Sequence, residues 1–203
     1  MRKTMVLVGL VLAVFMFSPA AKADQLVFTT TLTGAQEVPP TGSPGIGSAL
    51  VTLDTVTNML TVNVSFAGLV SPTIASHIHC CAGPGSNALV ATAVPTFPGF
   101  PLGVTTGTYL MSFDLTAAST YNPAFIAANG GTVAAAQAAF IAGLTNGLTY
   151  LNIHTQQFPT GEIRGQLVGA AAEVPEPASL LLLGTGILGA AGAIRKRRQR
   201  VEK

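Results

Sequence analysis

"MLTVNVSF" occupies residues 59–66, and the fold turns on how it is read. Leu60, Val62, Val64 and Phe66 alternate with Thr61, Asn63 and Ser65. Successive side chains of a strand point to opposite faces, so the apolar set shares one face and the polar set the other. The segment therefore reads as a half-buried β-strand. Just upstream, "SALVTLD" (Ser48 to Asp54) alternates through Ala49, Val51 and Leu53, and "TVTN" (Thr55 to Asn58) between the two suits a hairpin turn. Four more strands follow from "QLVFTTTL" (Gln25 to Leu32), "GTYLMSFDL" (Gly107 to Leu115), "TYLNIHT" (Thr149 to Thr155) and "GEIRGQLVG" (Gly161 to Gly169). Ile74 to His79 makes a seventh. Two short helices interrupt this pattern, in "NPAFIAANGG" and "TVAAAQAAFIAGLTNG". Asn122 and Thr132 are their expected N-caps, Pro123 stands at the first helical position, and Gly130 and Gly143 are the expected stops. The expectation is a mainly β domain, an antiparallel sandwich or barrel of about seven strands, with a short helical insertion covering an edge or an end.

The chain has 203 residues, and its formal charge of +2 hides a segregation. Arg2, Lys3 and Lys22 lie at the start, and Arg195, Lys196, Arg197, Arg198, Arg200 and Lys203 at the end. From Asp24 to Pro175 the one base, Arg164, faces six acidic residues, a net charge of −5. Nucleic-acid binding needs cations to displace counterions from phosphate, so nucleic acid is excluded as a partner. Residues 1–23 read as a signal peptide: a charged start, an apolar core from Met5 to Phe17, and the small-residue cleavage motif "AKA" (Ala21 to Ala23). The domain is expected over residues 24–169 and a linker over 170–177. Residues 178–194 carry no charge and would rise about 26 Å as a helix, marginally enough to cross a hydrocarbon core. The basic stretch 195–203 would then stay cytoplasmic.

The chemistry-bearing residues concentrate in "SHIHCCAGPG" (Ser76 to Gly85). His77 and His79 share one strand face, while Ser76 and Ile78 take the other with Ile74, the expected core side. Tyr150, Asn152 and His154 likewise share a face. If the two strands are neighbours, three imidazoles converge in a geometry suited to zinc or copper. One zinc ion at roughly 2.0–2.1 Å per ligand requires their nearest nitrogens to lie within about 8 Å. The competing reading is structural: the pair sits on an exposed sheet face and satisfies loop carbonyls at the strand end. Cys80 and Cys81 are candidates for redox chemistry or for a disulfide. Across a trans peptide their Cα atoms would be about 3.8 Å apart, below the usual disulfide span, so free thiols, an intermolecular bridge and metal ligation stay open. Glu162 and Arg164 share a strand face and read as a surface or rim pair. Glu37 precedes "VPP", whose prolines fix an extended backbone. No nucleophile motif is present, and no catalytic residue is assigned.

Two resemblances add to this reading. Val174 to about Arg200 resembles the PEP-CTERM sorting signal of Gram-negative bacteria, with the triplet Pro175, Glu176 and Pro177, an apolar stretch and a basic end in order. That resemblance implies transient anchoring in the inner membrane, processing by an exosortase near the triplet, and delivery to the cell surface or extracellular matrix. "LTGAQEVPP" (Leu32 to Pro40), "ASHIH" (Ala75 to His79) and "YLNIHTQQFPTGEIRGQL" (Tyr150 to Leu167) resemble the chordin-type CHRD domain. It implies a β-rich exported module with no established catalytic activity. The joint expectation is a non-catalytic envelope or matrix module meeting a polysaccharide or protein. The alternative is a small metal-binding or redox protein using His77, His79 and His154.

Overall fold

The computed structural model describes residues 25–170. Nine antiparallel strands form one curled sheet: β1 (Gln25–Thr33), β2 (Ile46–Asp54), β3 (Met59–Ala67), β4 (Thr73–Cys80), β5 (Leu89–Val90), β6 (Gly107–Asp114), β7 (Thr149–Thr155), β8 (Ile163–Gln166) and β9 (Val168–Gly169). The spatial order is β5-β4-β7-β8-β1-β2-β3-β6, with β9 pairing β1. The count exceeds the expected seven for two reasons. β5 is only two residues long, and "GEIRGQLVG" splits. β8 pairs β7 and touches β1 at Thr33, and β9 pairs Phe28 and Thr29 of β1, so this segment carries the sheet from one half to the other.

The half made of β1, β2, β3 and β6 follows the alternating pattern. Leu60, Val62, Val64 and Phe66 are buried opposite Leu53, Val51, Ala49 and Gly47. Their other faces carry hydroxyl pairs, Ser48 with Ser65 at 2.9 Å and Thr61 with Ser112 at 2.8 Å. Asp54 ends β2 and accepts from the amides of Val56 and Thr57, closing the hairpin turn as its sequence suggests.

The half made of β4, β7 and β8 behaves differently, because both of its faces are covered. Every residue of β7 is buried, and β4 is buried throughout except at Ile74. Ile78, Leu151, Ile153 and Ile163 face the core and are fully buried. Each such side chain contributes about 1.5–3 kcal/mol on transfer from water. Ile74 does not join them. A register shift between Thr73 and Ala75 breaks the alternation there and leaves Ile74 at the surface.

Two helices follow β6, α1 (Pro123–Ala128) and α2 (Val133–Thr145); α2 packs at Gly143 against Cys80 at the end of β4 and Thr149 at the start of β7, and α1 packs on α2. Asn122 Oδ1 accepts from the Ala124 amide and Thr132 Oγ1 from the Ala135 amide, so both N-caps stand where the sequence puts them. Ala136, Phe140, Gly143 and Leu144 form the buried stripe of α2. Gly143 is therefore inside the helix, not its stop. The helix runs on to Thr145, and Gly147 takes the left-handed conformation just beyond it. Among the described residues no helix is long and apolar enough to cross a membrane. The expected signal segment 1–23, the triplet Pro175 to Pro177, the apolar stretch 178–194 and the basic tail lie outside the described residues.

Candidate metal centre

β4 and β7 are direct neighbours in register, with Ala75 opposite His154, His77 opposite Asn152 and His79 opposite Tyr150. β8 continues the same face, with Arg164 opposite Asn152 and Gln166 opposite Tyr150. The non-core face of this half is thus a patch of polar side chains centred on Asn152. The structural reading put the histidine pair on an exposed face, yet the patch is buried. His77, His79 and His154 are each 6–7% exposed, Asn152 2% and Arg164 3%. Loops close over the patch: Arg164 Nε donates to the Gln36 carbonyl, Arg164 Nη1 to Asn87 Oδ1, and Asn87 Nδ2 to the Val38 carbonyl. The Arg164 guanidinium lies 4.5 Å over the Tyr150 ring, which itself stacks on His79 with centroids 4.7 Å apart.

The three imidazoles converge. One ring nitrogen from each of His77, His79 and His154 lies within 4.8 Å of the other two. His77 Nδ1 is 3.2 Å from His154 Nε2. The remaining ring nitrogens face backbone carbonyls: His77 Nε2 that of Pro95 at 2.7 Å, His79 Nδ1 that of Ala88 at 2.9 Å, and His154 Nδ1 that of Pro159 at 3.0 Å. A carbonyl oxygen can only accept, so these outer nitrogens carry the hydrogens. The inner nitrogens of the neutral rings are then lone pairs, all aimed into one space. Burial lowers the pKa of all three rings, those of His79 and His154 to about 4. Protons are therefore disfavoured as the cation that would separate the apposed lone pairs, and His79 Nε2 is buried with no partner at all. Deprotonated imidazoles oriented from behind by carbonyls are the arrangement that zinc and copper sites use. The loop-carbonyl contacts of the structural reading are present, and they turn the lone pairs of the opposite ring nitrogens inward.

The cysteines take no part in this cluster. Cys80 is the buried last residue of β4, one residue beyond the expected strand end, and points to the core side. It is joined to Cys81 by a disulfide across a cis peptide, with Cα atoms 3.0 Å apart, so the trans spacing expected from sequence does not apply. Both sulfurs pack against α2 at Gly143. Cys81 opens the turn that Gly83, Pro84 and Gly85 continue, with the Ser86 amide donating to the Gly83 carbonyl.

Glu162 and Arg164 are buried and do not form the expected surface pair. Glu162 accepts from Ser43 Oγ at 2.6 Å, Thr155 Oγ1 at 2.6 Å and the Val70 amide at 2.8 Å. The Arg164 charge acts instead on Glu37, which the sequence reading left without a role. Glu37 is 5% exposed. Burial pushes its carboxyl up to about 7 against the opposing effects of Arg164 and Asn152. The signal that singles it out is its place in "LTGAQEVPP", since a lone acid before two prolines carries no chemistry of its own.

Fold and site together define an antiparallel β module with a buried three-imidazole centre beneath its loops. The CHRD domain model matches residues 28–167, well over half of the chain, and the chain belongs to the CHRD domain family. A second model, the PEP-CTERM protein-sorting motif, matches residues 173–198. That motif implies recognition by an exosortase-type processing enzyme and export by a membrane-associated route to the cell surface. No curated protein and no solved structure is significantly similar to the chain.

Proposed function

We propose that this chain is a transition-metal-binding module of the bacterial envelope, holding one copper or zinc ion on His77, His79 and His154. The observation that carries the reading is the inward convergence of three ring nitrogens whose opposite nitrogens are committed to carbonyls. Three neutral imidazoles suit either metal. The sorting motif supports a destination at the surface or in the extracellular matrix of a Gram-negative cell, after transient residence in the inner membrane. There the domain acts as a non-catalytic binding component in contact with extracellular polysaccharide or protein.

The test is elemental analysis of the full chain, purified without a histidine tag and incubated with copper(II) or zinc(II) at neutral pH. About one ion per chain is expected, falling below a tenth in His154→Ala. A wild-type protein holding less than about a tenth of an equivalent overturns the reading, because a preformed three-histidine site binds well.

A further inference from the structure

Two further atoms of the histidine face lack partners. Glu37 Oε1 and Asn152 Oδ1 are both buried acceptors with no donor. A buried acceptor left without a donor costs about 1–3 kcal/mol, and native structures keep few of them. These two belong to one place. Asn152 stands directly across the sheet from His77 and two residues before His154 on the same face. Asn152 lies near enough to Glu37 to act on its carboxyl. Both oxygens also meet at Gly161, where a Cβ would lie 2.6 Å from Asn152 Oδ1 and 2.7 Å from Glu37 Oε1. The chain has no side chain at this point, two residues past the Pro159 carbonyl that orients His154. Among the described residues, no cysteine or carboxylate joins the three histidines to complete a four-ligand set. A structural zinc site is closed by four protein ligands, whereas a three-ligand site keeps a position for an exogenous one.

We infer that the metal on His77, His79 and His154 carries an exchangeable fourth ligand, a water molecule whose two O–H groups donate to Glu37 Oε1 and Asn152 Oδ1. The inference rests on the metal-binding reading above and adds to it a ligand class: small oxygen donors and small monoanions that replace the water. The count supports it. A water bound to a cation through its oxygen keeps two donors and no acceptor duty, and the face offers two acceptors without donors. A cation held beside Glu37 favours its ionised form over the protonated form that burial promotes in the metal-free protein, and the carboxylate then favours water over an entering anion, so it also sets the selectivity of the open position. Glu37 touches the ligand and not the metal, which separates its role from that of the histidines.

The experiment uses the full chain loaded with copper(II) and titrated with azide. Copper content is measured on every sample. The expected result is a saturable azide-to-copper charge-transfer band at one azide per copper. Glu37→Gln, which keeps the shape and removes the charge, should leave copper content near one per chain and tighten azide binding about tenfold. Strongly coupled proton resonances of the copper in the azide-free wild type should vanish both in deuterium oxide and on saturation with azide, which tests the water without any variant, because the ring N–H protons lie further from the copper, couple weakly and persist when azide binds. A copper-loaded wild type that gives no azide band and no exchangeable coupled protons overturns the inference while leaving the metal site standing. Loss of copper in Glu37→Gln also overturns it, by making Glu37 a ligand. A wild type that takes up no copper overturns the metal reading itself.

Discussion

A histidine with one nitrogen held by a carbonyl has its tautomer chosen for it, and three of them here leave lone pairs facing one another. That arrangement makes the metal-free protein sensitive to acid in a calculable direction. His79 and His154 drop from 6.5 to about 4 on folding, chiefly through burial. Between those values the unfolded chain binds protons that the folded chain lacks, so stability rises with pH across the window. Each shift corresponds to about 3 kcal/mol as an upper limit. Glu37 works the other way. Its carboxyl rises from 4.5 to about 7, so the folded chain holds a proton the unfolded chain has lost, and its contribution falls as pH increases through that range. With two such histidines against one carboxyl, urea unfolding of the metal-free protein should show increasing stability from pH 4 to about 6.5. Glu37→Gln should steepen the rise. A stability that declines over the same range would contradict neutral, buried rings.

At the scale of elements, α2 is pinned to the end of β4 through a glycine. A Cβ at Gly143 would collide with Cys80 Sγ and come within 2.9 Å of Cys81 Sγ. Alanine is the better helix former by about 1 kcal/mol, so propensity alone predicts that Gly143→Ala stabilises. Overpacking costs about 1–3 kcal/mol, and the collision involves sulfurs fixed to each other and to the strand end. The net expectation is a loss of about 1 kcal/mol, read as a lower urea midpoint with an unchanged slope; a higher midpoint would show that the helix shifts freely. The same element shows why the sequence misleads locally. Gly143 resembles a stop because it is a glycine near the end of a helical pattern, while its duty is close packing against Cys80 and Cys81, which lie far away in the sequence. The strands were legible because period-two alternation is a local property, as in Leu60, Val62, Val64 and Phe66. β5 was too short to carry a period, and β8 and β9 run on without a turn signal between them. The convergence of His77, His79 and His154 was legible from face and register. Its burial was not, because Tyr150, Asn152, His154 and Arg164 read like a solvated face. What orients the three rings is backbone carbonyl at Ala88, Pro95 and Pro159, and a carbonyl has no signature in sequence.

For the whole molecule, the domain and the tail are chemically opposite, and the chemistry of the tail has consequences for where the protein goes. The stretch from Asp24 to Pro175 has a net charge of −5, whereas residues 195–203 are basic. A domain of this length crosses a membrane largely regardless of its own charge, while clustered Lys and Arg after an apolar stretch hold their end on the cytoplasmic side. Residues 178–194 are uncharged and, as a helix, just long enough to span. The sorting motif covers residues 173–198 and so contains the triplet, the apolar stretch and most of the basic end. On the proposed reading, retention in the membrane and recognition by the processing enzyme are carried by the same short segment. Deleting Val174 to Lys203 should release the protein from the membrane fraction into periplasm or medium. Its metal content should be unchanged, since His77, His79 and His154 are all placed within residues 25–170. Replacing Pro175, Glu176 and Pro177 by alanine should separate the two roles: the chain stays in the membrane but is not processed, and accumulates at its unprocessed length. Fractionation followed by intact-mass measurement reads both outcomes. A truncated chain that remains in the membrane would place the anchor elsewhere, and an alanine variant still shortened near residue 175 would remove the triplet from recognition.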